Sequence, residues 1–282
     1  FERFGVAPTA MFSVLGLWML FLNLPIASAF TTNFSQKELL SRFEALSDGV
    51  APIYKYRADP KNSSFYAREL PTLERSQFKG EAQSDDRFFA IIPRKELSSI
   101  NDEFRKATER TIPVLDDRGS RFMLVSNQLA PGEVDRNPIN RALIETLPEG
   151  VNKAAINFED KIELVGWSIE PKSPRPGSPL TMHLYWKALK GRLGSWKVFV
   201  HIDAPGQRIH GDHDPVAGIF PTRSWKEGDV IHDEHQITVK RTISPATFTF
   251  YVGLYRGSTR LKIKSGPKDK DNRAKLGTLK VR

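Results

Sequence analysis

Between Ala155 and Val281 the chain alternates apolar and polar residues over many short segments. The runs Thr181-Met-His-Leu-Tyr-Trp and Phe248-Thr-Phe-Tyr-Val-Gly-Leu-Tyr are the clearest. A period of two is what an extended strand needs when its two faces meet different surroundings. The same character recurs in "AAINFEDKIELVGWSIE", "PLTMHLYWKAL", "WKVFVHIDAP", "VIHDEHQITVK", "ATFTFYVGLYRG" and "KLGTLKV". Short strands separated by turn-rich stretches predict an antiparallel, jelly-roll-like β-sandwich over residues 155–282. Within it, the lysine-rich "KSGPKDKDNRAK" (Lys264–Lys275) reads as a mobile hairpin loop.

Upstream the pattern changes. "SQKELLSRFEA" (Ser35–Ala45) reads as an amphipathic helix, with Ser35 and Glu38 in capping-box spacing. "APIYKYRA" alternates like a strand. "NSSFYARELPTLE" follows, with Ser63 or Ser64 as a helix cap and Pro71 as an interruption. "RFFAIIP" (Arg87–Pro93) is a continuous apolar run, as in a strand covered on both faces. Leu97, Ile100 and Phe104 recur at helical spacing within Lys95–Glu109, and "TIPVLDD" and "RFMLVSNQL" form two strands turning at "DDRGS". The order β-α-β-α-β-β predicts a small α/β domain over residues 31–129 with a partly parallel sheet. No glycine-rich phosphate loop follows any of its strands. "APGEVDRNPIN" opens a linker spanning 130–154.

Residues 1–30 hold a third element. Ala10–Ala29, "AMFSVLGLWMLFLNLPIASA", carries no charge, and about 20 apolar residues suffice to cross a bilayer as a helix. The segment reads either as a transmembrane helix, with Arg3 on its cytoplasmic side, or as a signal segment cleaved after "ASA". Either way everything after Phe30 lies outside the cytoplasm. The expected class is therefore α+β multidomain: a transmembrane helix, a small α/β domain, then the β-sandwich. The first residue is Phe rather than Met, which predicts a fragment or a processed form.

There is no cysteine among the 282 residues, which excludes disulfides, thiolate metal sites and cysteine nucleophiles. The net charge of +9 is uneven: from Val151 onward 23 Lys+Arg stand against 13 Asp+Glu, a balance of +10. Arg256–Arg282 alone carries ten basic and two acidic residues. A basic end suits anionic lipid headgroups or glycans, or is simply a solvated edge. The extracytoplasmic placement argues against nucleic acid.

The densest polar stretch is "IHGDHDPVAGIFPTRSWKEGD" (Ile209–Asp229), with His201 and Asp203 just before it. Zinc needs three or four ligands on rigid elements. H-x-x-H at His210 and His213, among Gly206, Gly211 and Pro215, is no zinc signature outside a helix. Calcium through Asp203, Asp212 and Asp214 is the other metal option. The reading adopted is a turn-rich connection with no metal. A catalytic triad lacks its G-x-S-x-G elbow. Asp233 and Glu234, as neighbours on a strand, face opposite ways and cannot act as a carboxylate pair.

Aromatics offer a better lead. Trp186, Trp196 and Trp225, with Tyr185, Tyr251 and Tyr255, fall in the sandwich. They suit a sugar-binding surface or a packed core. Trp225, in "PTRSWKEGD", is expected to be the most exposed. The binding residues singled out are Trp225, Arg223, His201, Asp203 and Asp214, with no catalytic residue and no metal ligand.

"NFEDKIELVGWSIEPKSPRPGSPLTMHLYWKAL", "WKVFVHIDAPGQRIHGDHDPVAGIFPTRSWKEGDVIHDEHQI" and "FYVGLYRG" resemble a module of bacterial GT-C membrane glycosyltransferases. These are the family 39 enzymes related to protein O-mannosyltransferases and aminoarabinose transferases. "PIYKYRADPKNSSFYAREL" and "DDRFFAIIPRKELSSI" resemble the small α/β domain such enzymes carry outside the cytoplasm. The resemblance implies the non-catalytic C-terminal part of an enzyme using a polyprenyl-phosphate-linked sugar, whose catalytic acid lies in a region these residues do not include. It implies the inner membrane, with soluble domains in the periplasm or extracellular space. The partners are then membrane lipid and a glycan or polyprenyl-phosphate-linked sugar, and no cofactor is expected. The alternative is a stand-alone exported carbohydrate- or ligand-binding protein.

Overall fold

Phe89–Pro93 is apolar at every position and buried at every position, so it needs cover on both faces. A computed structural model of the chain, describing residues 37–56 and 70–282, shows how that cover is supplied. The segment Ala10–Ala29 and the expected caps Ser35, Ser63 and Ser64 lie outside the described residues. No helix among the described residues is long and apolar enough to cross a membrane. The described residues form two compact units, one ending at Asn137 and the other starting at Pro138.

The first unit is a four-stranded sheet in the order β1-β2-β4-β3. Its strands are β1 (Ile53–Lys55), β2 (Phe89–Pro93), β3 (Val114–Asp116) and β4 (Phe122–Ser126). β1 and β2 are parallel and the remaining pairs antiparallel. Helix α1 (Lys37–Leu46) covers one face: its Leu39, Leu40, Phe43 and Leu46 pack with Ile53, Phe89, Ile91 and Leu124. Helices α2 (Arg75–Gln83) and α3 (Leu97–Thr108) cover the other. There Phe78 meets Tyr56, Phe88 and Phe104 at ring separations of 5.8, 6.4 and 6.5 Å. Leu97, Ile100 and Phe104 are all buried, as their spacing predicts. The helix expected from Ser63 or Ser64 falls largely outside the described residues; Leu70–Glu74, at its end, is not helical, and Thr72 bridges Lys55 as a short parallel partner of β1. Pro71 disfavours helix at the residue before it, and α2 starts only where the Gln77 side chain accepts the Glu74 N–H.

The stretch read as a linker is folded into both units. Asp135 Oδ1 accepts the Val114 N–H and Asn137 donates to the Ile112 carbonyl, which ties these residues to the first unit. Helix α4 (Pro138–Ala142) and strand β5 (Leu143–Ile144) belong to the second.

The second unit is almost wholly antiparallel β-structure. A six-stranded sheet runs β14-β6-β7-β8-β11-β5, with β6 Asn152–Phe158, β7 Ile162–Glu170, β8 Pro179–Ala188, β11 Val230–Thr238 and β14 Ile263–Ser265. The other sheet runs β10-β9-β12-β13, with β15 also pairing β12. Its strands are β9 Lys197–Ala204, β10 Gln207–His210, β12 Ala246–Arg256, β13 Thr259–Arg260 and β15 Ala274–Val281. The segment from Ala155 to Glu170 splits into β6 and β7 at Glu159 and Asp160. These take φ of 56° and 53° at the centre of a turn closed by the Lys161 N–H on the Phe158 carbonyl, inside a three-residue loop.

Alternation sends Leu180, Met182, Leu184 and Trp186 of β8 inward, against Val198, Val200 and Ile202 of β9 and Phe248, Phe250 and Val252 of β12; all are buried. Trp167 of β7 meets Phe250 of β12 edge-on at 5.4 Å, so the two sheets face each other. The lysine-rich stretch from Lys264 to Lys275 is tied down: Asn272 accepts the Ile263 N–H, Arg273 binds Asp269, and Lys268 bridges Ala274.

Outside β12, Phe199 of β9 lies across Gly253. A Cβ at Gly253 would fall 2.3 Å from the Phe199 Cζ. Gly253→Ala is therefore expected to lower stability by about 1–3 kcal/mol in denaturant unfolding. Unchanged stability would show that the ring is free to turn aside.

Candidate functional site

The connection from Ile209 to Asp229 is organised by a buried carboxylate. After β10 the chain continues along the edge of β9: Gly211 donates to the Val200 carbonyl, and His213 pairs with Val198. On an extended segment, residues an odd number apart face opposite ways. His210 therefore lies on the outer face, away from the other sheet, while His213 points inward. The H-x-x-H pair is split between the faces and cannot chelate.

His213 Nε2 lies 3.0 Å from Oδ2 of Asp233, a β11 residue with no solvent exposure. Its Nδ1 lies 2.7 Å from the Gly211 carbonyl oxygen. Both ring nitrogens thus face acceptors, and only the doubly protonated ring satisfies both. Burial alone would lower the His213 pKa. The hydrogen bond and charge of Asp233 outweigh it and hold the pKa above 6.5. Asp233 also accepts the Val216 N–H at 2.8 Å. Val216 and Ala217 take φ of 52° and 51°, a left-handed conformation that costs an L-residue roughly 1–2 kcal/mol. The carboxylate thus helps hold a strained turn. The ring of His235 stacks on His213 at 4.0 Å.

Trp225 is a further anchor, not an exposed contact. It is 2% exposed, and its Nε1 donates to the Phe220 carbonyl oxygen at 2.9 Å. The turn-rich segment folds back on itself, so its apolar residues have a core to enter. Trp186 and Trp196 are buried as well, and so is Tyr185. Arg223 is exposed and reaches Ser195 Oγ at 3.3 Å. Asp214 is exposed and pairs with Lys197 at 3.1 Å.

His201 and Asp203 do come together with other groups, on the outer face of the five-stranded sheet. The register aligns His210, His201 and Tyr251 in one row and Arg208, Asp203 and Thr249 in the next. Asp203 accepts from Arg208 Nε at 2.6 Å and Nη2 at 2.9 Å, and from Arg273 Nη1 at 2.7 Å. Burial raises the Asp203 pKa, but these two guanidinium groups outweigh it and hold it below 3.8. Arg273 lies over the Tyr251 ring at 4.0 Å and Arg260 over Phe199 at 4.6 Å. Burial, reinforced by Arg208, lowers the His201 pKa below 6.5, so its ring is neutral near pH 7. The result is a row of planar donors and aromatic faces, a surface able to bind hydroxyl-rich or anionic groups. Arg208 and Arg273 have no signal of their own in the sequence, and His210 enters there only as a metal candidate; the β9–β10 hairpin register is what places His210 and Arg208 beside His201 and Asp203.

Among the described residues, two groups of side chains could hold a metal ion: His201, His210 and Asp212 on this face, and His183, His232 and Glu234 on the outer face of the six-stranded sheet. The first unit has a cleft of about 730 Å³ bordered by Gln83, Asp85, Arg110 and Gln128. Its amides are taken up by backbone carbonyls, as Gln128 is by Asp85.

No family model and no curated protein matches the chain. Among solved structures it is similar to a Niemann-Pick type C2 protein from Japanese carpenter ant, at 8% identity. That match covers 49% of this chain and 100% of that one, with a TM-score of 0.27. It is also similar to the Pseudomonas fluorescens alkylpurine DNA glycosylase AlkC bound to DNA containing an abasic site analog, at 11% identity and a TM-score of 0.27. There 43% of this chain is covered, and the match spans 30% of the glycosylase.

Two measurements follow from the anchors. Trp225→Ala is expected to cost about 3–5 kcal/mol of stability, where an exposed residue would cost almost nothing. The His213 pKa is raised in the folded state, so the charged pair stabilises fully below about pH 6.5 and weakens as pH rises through the raised value. The gap in Tm between wild type and His213→Asn should then be wider at pH 6 than at pH 9. A gap independent of pH would contradict a charged pair.

Proposed function

We propose that the second unit is a jelly-roll-like β-sandwich serving as an extracytoplasmic carbohydrate-binding module. In this view it is the non-catalytic C-terminal part of a polyprenyl-phosphate-sugar-dependent membrane glycosyltransferase. The jelly-roll reading is supported by connections that pass between the sheets at β8–β9, β10–β11 and β11–β12. The transferase reading rests on the resemblance of the strand and loop sequences to family 39 enzymes. It carries the expectation of an inner-membrane protein whose soluble units meet membrane lipid and a glycan acceptor.

The observation that carries the binding role is the outer face of the five-stranded sheet, where His201, Asp203, Arg208, Tyr251 and Arg273 lie in adjoining rows. Bidentate guanidinium–carboxylate groups present fixed, planar hydrogen-bond donors, and a sugar ring offers hydroxyls at matching spacing around an apolar face. Trp225 drops out as a contact because it is buried. Asp214, paired to Lys197 of β9, stays at the border of this face, and Arg223 lies beside Ser195. The same face would serve a stand-alone exported binding protein.

A glycan array probed with wild type, Tyr251→Ala and Arg208→Ala tests the binding role. Wild type is expected to retain a defined set of glycans, and each variant to lose tenfold or more in affinity while keeping its circular dichroism spectrum. Binding equal in all three proteins, or absent from wild type, would refute it. Genomic sequence upstream of Phe1 tests the parent protein separately: several apolar spans in frame support a transferase, and an initiator methionine a few residues upstream contradicts it.

A further inference from the structure

We propose that His183, His232 and Glu234, on adjoining strands β8 and β11, form a binding site for a divalent transition metal of the zinc class. His183 pairs in register with Glu234, and Tyr185 with His232. All three donor side chains therefore lie on the outer face of the six-stranded sheet, opposite the inward Asp233. His183 Nδ1 lies 2.9 Å from His232 Nε2 and 3.8 Å from Glu234 Oε2, and all three ligand atoms fall within 4.8 Å of one another. In a tetrahedral zinc site, Zn–N bonds of about 2.0–2.1 Å place neighbouring donor atoms about 3.3 Å apart. The observed spacings straddle that value, so small side-chain rotations suffice.

The rings are held for the task. His183 stacks on His232 at 5.2 Å, and His232 stacks on Tyr185 at 4.8 Å and 9°. Tyr185 is itself buried. Two imidazoles and one carboxylate suit zinc, copper or nickel rather than magnesium or calcium. Three protein ligands leave a fourth position for water or for a group brought by a partner.

In the metal-free protein the facing ring nitrogens of His183 and His232 share one hydrogen bond. A metal would replace it by taking a lone pair from each ring, with the Glu234 carboxylate beside them as the third donor. The other group, His201, His210 and Asp212, is the poorer site. Its Asp212 Oδ1 already accepts the Val200 N–H at 2.9 Å.

The full chain, produced without a polyhistidine tag and stripped with a chelator, is titrated with zinc chloride by calorimetry and thermal denaturation. One zinc per chain is expected, with Tm raised on the order of 5 °C at a hundredfold excess over Kd. Magnesium should give no shift. Cobalt should give the intense visible absorption of a tetrahedral site. His232→Phe, which keeps the ring stack, should abolish binding. Glu234→Gln changes a largely exposed side chain and should fold normally while weakening binding at least tenfold. His201→Ala and His210→Ala should leave it unchanged. No saturable zinc binding by wild type overturns the proposal. So does binding that survives Glu234→Gln and His232→Phe, or that is lost only with His201 or His210.

Discussion

The second unit depends on one buried ion pair. Asp233 has no solvent exposure, and His213 reaches it from the far side of a long connection. An unpaired carboxylate at that depth would be costly. The second unit therefore packs only in arrangements that bring His213, or an equivalent donor, to β11. This requirement fixes the path of Gly211–Gly218 along the edge of β9. It places Asp212 and His210 on the outer face, and the same carboxylate holds the left-handed turn at Val216.

That single inward contact has consequences on both surfaces. On the five-stranded sheet, His213 continues the register that the β9–β10 hairpin sets from Ala204 and Gln207, with Arg208 opposite Asp203 and His210 opposite His201 in the polar row proposed to meet glycans. On the six-stranded sheet the inward turn of Asp233 forces its neighbours His232 and Glu234 outward, beside His183. A strand cannot bury one residue without exposing the next, so the core charge and the surface donors are two aspects of one register.

Much of the architecture was legible in the sequence, and the limits have physical causes. β8, β12 and α3 stood out because each carries a full period of alternation or helical spacing over eight or more residues. β5, β10, β13 and β14 are two to four residues long, too short for any period to register. α2 has few apolar residues, and its start is set by the pairing of Thr72 with β1, a tertiary contact with no local signature. The opposite facing of Asp233 and Glu234 was readable from parity. The same rule separates His210 from His213, once the segment is known to be extended. The meeting of His183 with His232, 49 positions apart, required the β8–β11 register, which alternation alone leaves open by steps of two. Trp225 was misjudged because turn-rich flanks suggested exposure, whereas the loop folds back to supply its own core.

The central claim is that His213 is a charged ring held between the Asp233 carboxylate and the Gly211 carbonyl. Its pKa, followed by the ring resonances in an NMR titration, tests this most directly. A value above 6.5 that falls on Asp233→Asn substitution is predicted. A value at or below 6.5 in the wild-type protein, unmoved by that substitution, would contradict the account.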